Sequence, residues 1–415
     1  MSLKNKNVLL LILGHFASAP RPQKEANALV KRGANVFIRG MWWDEELSKE
    51  DQQLAREIGV DYAPLVDYRK TDWSSFSIRL RAKIARKLYL VTGLVTPRCL
   101  GVAAPEMLKA SRKINPDLVI LHCEPALWVG KKLQLKGYKI GVDFEDWFSQ
   151  DLSEQARRER PVAELQNLER YHLHNAAFCF ATTNAMANAL ATDAGSARIP
   201  TVVPNCFPRS CVKTKNGIVG DNRGDEISLY WYSQTIGSGR GLEILGQALT
   251  MLSGNWKLRL RGNLRGKNDD WFCTSFPAEI RHRIEILPVV SNKYLSSHNS
   301  SHDVGLALET PYCKSRDLTA TNKIFDYLRA GLAIVATDTL GQKEVANNSC
   351  SDAIKLIPAD NAAALTDTLQ SLIENPALLK SMKASAKKAA ASQWSWEIYE
   401  PLLLDACENA FEKSP

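Results

Sequence analysis

The sequence predicts an α/β protein of two doubly wound, Rossmann-like domains facing each other across a cleft. Short apolar runs alternate with helical patterns along nearly all of the 415 residues, as parallel sheets covered by helices require. The alternation stops once, in the polar, glycine-containing stretch "RSCVKTKNGIVGDNRGDE" (209–226), and then restarts, as it does across a linker. The length favours two domains of roughly 150–200 residues each.

The first stretch, "KNKNVLLLILGHFASAPR" (4–21), has the outline of a secretory leader: two lysines, an apolar run and Ala17-Ser18-Ala19. Its run of six apolar residues is shorter than the roughly 7–15 of a leader core. It reads instead as a first strand (8–13), a loop at the strand's carboxyl end and a helix (23–31). Strands are expected next at 35–39, 117–122, 138–143, 178–182 and 201–203, with a helix at 127–135. Pro22 and Pro105 stand near the first positions of two helices, where a missing N–H is harmless. Beyond the linker, strands are expected at 227–233, 256–262, 283–290, 303–308 and 332–338. In such sheets ligands sit outside the carboxyl ends of the strands, where the strand order reverses.

Apolar residues make up 45% and charged residues 24% of the chain, an ordinary globular balance. No apolar run approaches the ~20 residues of a spanning helix. The nine cysteines are odd in number and form no CxxC pair. They read as reduced thiols of a cytoplasmic protein, not as a disulfide framework or a zinc site. The net charge is +8, and residues 69–113 alone carry +9.

Two stretches of the second half carry chemistry. "YWYSQTIGSGRGLEIL" (230–245) is a strand, a glycine-rich turn and a helix. Gly237, Gly239 and Gly241 let backbone approach a ligand, the helix N-terminus suits phosphate, and Arg240 can grip phosphate oxygens. A flexible turn with a surface arginine fits the same spacing. In "TATNKIFDYLRAGLAIVATD" (319–338), Asn322 is placed as the cap of a helix carrying Lys323 and Asp326 in its early turns. A carboxylate there can accept both hydroxyls of a ribose, and Lys323 can reach phosphate. A capped amphipathic helix with an exposed ion pair is the alternative.

"GSGRGLEIL", "NKIFDYLRAGLAIVATD" and the late "QWSWEIYEPLLLDA" (393–406) together resemble the C-terminal half of GT-B glycosyltransferases, the large retaining family four above all. "APRPQKEANALVKRGANVFI" resembles that family's first loop and helix, "PDLVILHCEP" its acceptor-side strand and "TVVPNCF" its interdomain linker. The resemblance covers nearly the whole chain. It implies transfer of a sugar from a nucleotide-sugar donor, UDP- or GDP-linked, with retention of configuration and without a cofactor or metal. It implies an N-terminal acceptor domain (1–208), a C-terminal nucleotide-sugar domain (209–393) and a last helix (394–415) that crosses back.

By position, the resemblance puts Arg240 on the donor diphosphate, Asp326 on the ribose, Asn322 and Lys323 beside the phosphates, and Val289 and Val290 beside the base. Gly14 and His15 approach the diphosphate from the other domain. His122, or Glu124 close by, touches the donor sugar or the acceptor. Two positions depart from the family pattern. Leu318 stands where a glutamate is usual, with Glu309 as its candidate substitute, and Gln234 stands where the phosphate loop usually has arginine. Diphosphate binding then rests more on Arg240, Lys323 and Arg265.

"DFEDWF" (143–148) resembles the acidic metal motif of the other glycosyltransferase fold, but it follows a first-half strand. It reads as acceptor-site lining: Asp143, Glu145 and Trp147, with Arg21 from the first helix. The pairs His172/His174 and His298/His302 lack a third ligand nearby and are not read as metal sites. In 75–93, Phe76, Leu80, Ile84, Leu88 and Val91 form one helical stripe among Arg79, Arg81, Lys83, Arg86 and Lys87. Such a helix reads as a membrane-surface element, or as a packed helix with a solvated basic face. No aromatic-interleaved motif points to nucleic acid. The expected function is sugar transfer to a glycan or lipid-linked acceptor of the cell envelope, at the inner face of the cytoplasmic membrane. The alternatives are a nucleotide-sugar epimerase or hydrolase on the same fold, and a non-catalytic nucleotide-sugar or glycan-binding protein.

Overall fold

The computed structural model describes residues 2–70, 72–209, 225–264, 270–348 and 352–412. Arg265 lies outside the described residues. The chain falls into two compact units, one of residues 1–203, 313–315 and 399–415, the other of 204–312 and 316–398.

The first unit holds a seven-stranded parallel sheet of order β3-β2-β1-β4-β5-β6-β7. Its strands are β1 (Asn7–Leu11), β2 (Asn35–Trp42), β3 (Asp61–Asp67), β4 (Leu118–Leu121), β5 (Lys139–Phe144), β6 (Phe178–Ala181) and β7 (Thr201–Val202). Val8 pairs with Val36 on one side and Leu118 on the other. The central runs Val8–Leu11 and Leu118–Leu121 are fully buried, as strands covered on both faces must be. The order reverses between β1 and β4.

The second unit holds a six-stranded parallel sheet of order β10-β9-β8-β11-β12-β13. Its strands are β8 (Ile227–Ile236), β9 (Trp256–Leu264), β10 (Ile284–Leu287), β11 (Val304–Ala307), β12 (Ala333–Thr337) and β13 (Ile354–Ile357). Its core runs from Leu229 and Trp231 through Leu258, Leu306 and Val335 to Leu365 and Leu369. Here the order reverses between β8 and β11.

The expected strands all form, with ends shifted by a few residues. The sequence reading misses β3 and β13, both edge strands. β3 carries Pro64 and is only half-buried; an edge tolerates proline because no neighbour needs its N–H. β13 has four residues and exposes Lys355. The expected helix at 23–31 is Pro20–Lys31, and that at 127–135 is Glu124–Gln134. The helix Trp396–Glu412 contains Pro401. Its later turns bury Leu403 and Cys407, and Glu408 pairs with Arg32 at 2.7 Å. Among the described residues, no helix is long and apolar enough to cross a membrane.

Candidate functional site

The switch point of the second sheet gathers the loops after β8, β11 and β12. The strand β8 hands over to Gly237–Gly241, and the helix Leu242–Thr250 starts at Gly241 with φ +73° and no side-chain cap. A Cβ on Gly241 would stand 2.7 Å from both the Cβ and the carbonyl oxygen of Leu308, at the end of β11. Thr310 Oγ1 donates to the Gly239 carbonyl at 3.0 Å. Gly237 and Gly239 have open space where a side chain would be. Arg240 is exposed and donates to Ser233 Oγ at 2.9 Å.

Beside this turn, Glu309 is buried and accepts from Lys323 Nζ at 2.6 Å and Thr321 Oγ1 at 3.1 Å. Burial alone would raise the Glu309 carboxyl, but Lys323 outweighs it and holds the group below its ordinary range. The helix Asn322–Ala330 begins here. Its cap position is Thr321, not Asn322, and no side chain caps it, because the Thr321 hydroxyl is turned to Glu309. Two uncapped helix N-termini, a guanidinium and an ammonium thus lie at one sheet edge. That combination of free N–H groups and cations suits a diphosphate.

Asp326 is not an exposed ribose acceptor. It is 2% exposed, and its two oxygens accept from Tyr232 Oη at 2.6 Å and Arg329 Nη2 at 2.8 Å. One turn into the helix, its position points back across β8 and not out of the sheet edge. Val289 and Val290 follow β10 in a partly exposed loop. Leu318 is buried.

The switch point of the first sheet holds a buried charge cluster. His122, at the end of β4, has Nδ1 3.0 Å from Glu145 Oε1 and Nε2 3.0 Å from Glu25 Oε2. Arg21 donates to Asp143 and to the Val203 carbonyl, and lies 3.7 Å from Glu25. Burial alone would lower His122, yet the surrounding carboxylates push it up to about 10. Burial pushes Glu25 up to about 7. Burial would raise Asp143 as well, but Arg21 holds it below its usual range. Glu25, His122 and Asp143 bring ligand atoms within 4.8 Å of one another, and the cation seated on that group is the Arg21 guanidinium.

This arrangement corrects several expectations. Arg21, Asp143 and Trp147 are fully buried, so they support the sheet edge and cannot line an open acceptor site. Trp147 donates its indole N–H to Glu169 at 3.2 Å as a core residue. Glu145 alone of that set keeps an exposed part, 29% of its side chain. His15 is fully buried too. Its Nδ1 donates to Asp51 at 2.7 Å, and its Nε2 accepts from the N–H groups of Trp43 and Asp44. With both nitrogens used inside the fold, it cannot reach a diphosphate. A Cβ on Gly14 would stand 2.4 Å from the tip of the half-exposed Trp43 ring, so the ring packs where a side chain would be. Glu124 is ion-paired with Arg160. His172 donates to the Leu127 carbonyl at 2.7 Å, and His302 stacks on Tyr230 at 4.0 Å; both are core residues.

No family model and no curated protein sequence matches the chain. Solved structures do. Anabaena HepE in complex with UDP-glucose superposes with a TM-score of 0.69 at 12% identity, over 97% of this chain and 100% of that one. Sucrose-phosphate synthase from Thermosynechococcus elongatus gives 0.68 at 14% identity, over 99% and 100%. A Listeria monocytogenes structure that carries the name UDP-N-acetylglucosamine 2-epimerase gives 0.61 at 13%, over 99% and 98%. The chain has the GT-B fold of glycosyltransferases.

In this GT-B chain the sequence reading missed Glu25 and Thr321. Glu25 sits in "PQKEANALVKRG", which reads only as a helix; its i, i+4 spacing from Arg21 is the signal that was available. Thr321 was hidden because Asn322 is the stronger cap type. The membrane-surface candidates Arg79, Arg81, Lys83, Arg86 and Lys87 are all exposed on the helix Trp73–Thr92.

Proposed function

We propose that the chain transfers a sugar from a nucleotide-sugar donor to a glycan or lipid-linked acceptor, and that the donor diphosphate binds at the second sheet's switch point. One observation carries this: the glycine turn 237–241, Arg240, and the Glu309–Lys323 pair at an uncapped helix start converge on one edge. The likeness to HepE, solved with UDP-glucose, supports a uridine donor. Catalysis on this reading is electrostatic. Arg240, Lys323 and the helix N-termini stabilise the departing diphosphate, with no metal required and retention as in the resembled family. The exposed basic helix Trp73–Thr92 supports an acceptor presented at the cytoplasmic face of a membrane.

The test is a thermal-shift panel of UDP, GDP, ADP, CMP and dTDP. A nucleotide at 100 times its dissociation constant stabilises by about 2.7 kcal/mol. UDP is expected to raise the melting temperature of the wild type and not of Arg240→Ala or Lys323→Ala. No response to any nucleotide rejects the reading. The likeness to the Listeria structure favours one second reading, epimerisation or hydrolysis of the donor. Incubating UDP-sugar with the protein alone separates them: conversion without acceptor supports the second reading.

A further inference from the structure

The first unit has a cavity of about 730 Å³ under the helix Trp73–Thr92, within the size range of small-ligand sites. Five cations line it: Arg79, Lys83, Arg86, Arg98 and Arg160. Three are matched by carboxylates. Arg86 pairs with Glu159, Arg160 with Glu124, and Arg98 with Glu106 through two bonds of 2.6 and 3.0 Å. Arg79 and Lys83 have no carboxylate partner among the described residues. Arg79 donates to the carbonyls of Ser75 and Lys70 and sits 5.6 Å from the centre of the Tyr68 ring. The site therefore carries two uncompensated positive charges, which match a phosphomonoester or diphosphate at about −2.

Its walls come from the carboxyl edge of the sheet. Tyr68 follows β3, Glu124 behind Arg160 follows β4, and Leu152–Arg160 follows β5. This is the edge that holds His122. The helix above it packs inward through Ile78, Ala82 and Ala85. Its other apolar row points outward: Phe76, Leu80, Ile84, Leu88 and Val91 are 37–76% exposed, and Trp73 is 79% exposed. A cationic cavity opening beside an exposed apolar row fits an anionic amphiphile.

We propose that the cavity binds the phosphate of a lipid-linked acceptor while the lipid chain lies along the outer row of this helix. This rests on the transfer reading above and narrows its acceptor to a lipid phosphate.

Flotation with phosphatidylcholine vesicles tests it, using vesicles alone, with phosphatidylglycerol, or with a polyisoprenyl phosphate at equal total charge. The full chain is expected to float with polyisoprenyl phosphate vesicles and much less with phosphatidylglycerol vesicles. Arg79→Gln/Lys83→Gln is expected to weaken that binding by about 25-fold, counting about fivefold per cation lost. Ile84→Ser/Val91→Ser is expected to weaken it as well. Both variants should keep the wild-type response to UDP, which shows that they fold and keeps the donor reading separate. Equal flotation with both anionic vesicles means plain surface adsorption and overturns the proposal. So does flotation with neither. A dimer that Ile84→Ser/Val91→Ser converts to monomer would give the row to a second copy and also overturn it.

Discussion

His122 is an imidazole held charged inside the protein. Its native pKa, about 10, lies above the ordinary 6.5, so the native state binds the proton more tightly than the unfolded chain. The stabilisation is complete below about pH 6.5 and is lost as pH rises through about 10. Glu25, raised from 4.5 to about 7, acts in the same direction over its own lower window. Urea unfolding at intervals from pH 7 to 10 is expected to show the wild type losing at least about 1 kcal/mol more than His122→Gln. Parallel curves would mean that the cluster is not charged as described. Little of this cluster was legible beforehand. The motif "LHCEP" marks His122, but Arg21 and Asp143 read as the lining of an acceptor site. Their burial depends on residues from three elements closing over them, which no local pattern contains. The same holds for His15, whose partner Asp51 lies 36 positions away.

The glycine turn shows what an element can and cannot disclose. Its spacing indicated close approach of backbone, and the three glycines looked alike. In the structure they differ. Gly241 combines φ +73° with contact against Leu308, whereas Gly237 has neither a positive φ nor a neighbour within 4 Å. Gly241→Ala is expected to cost roughly 1–3 kcal/mol and to weaken the UDP-induced shift, since the turn must move. Gly237→Ala is expected to stay within about 0.5 kcal/mol of wild type. Denaturant midpoints of both variants check this, and equal losses would count against it. The helix Trp73–Thr92 teaches a related point. Its periodic apolar row was plain in the sequence, yet the packed face uses Ile78 and the small Ala82 and Ala85. Periodicity identifies a stripe; the neighbouring volume decides which stripe the core takes.

Across the whole molecule, the strand–helix alternation made both sheets legible, because buried parallel strands must be nearly continuous apolar runs. The two missed strands are edges, where that demand lapses. The strand orders could not be read from one sequence, yet they create both switch points. The helix Trp396–Glu412 adds a prediction at this scale. A chain ending at residue 398 lacks Leu403 and Cys407, each fully buried, and the Arg32–Glu408 pair. Limited proteolysis is expected to digest its first unit while UDP still protects the second. Equal resistance of both units would show that the helix is dispensable.

That helix also sets an order of events during synthesis. Residues 399–415 belong to the unit that residues 1–203 begin, so the ribosome makes the whole second unit before supplying the last piece of the first. The nascent first unit must wait with an uncovered apolar groove where Leu403 and Cys407 will sit. A chaperone or slow translation can matter to this protein for that reason alone, and a stop codon near the end would harm the part of the chain made earliest.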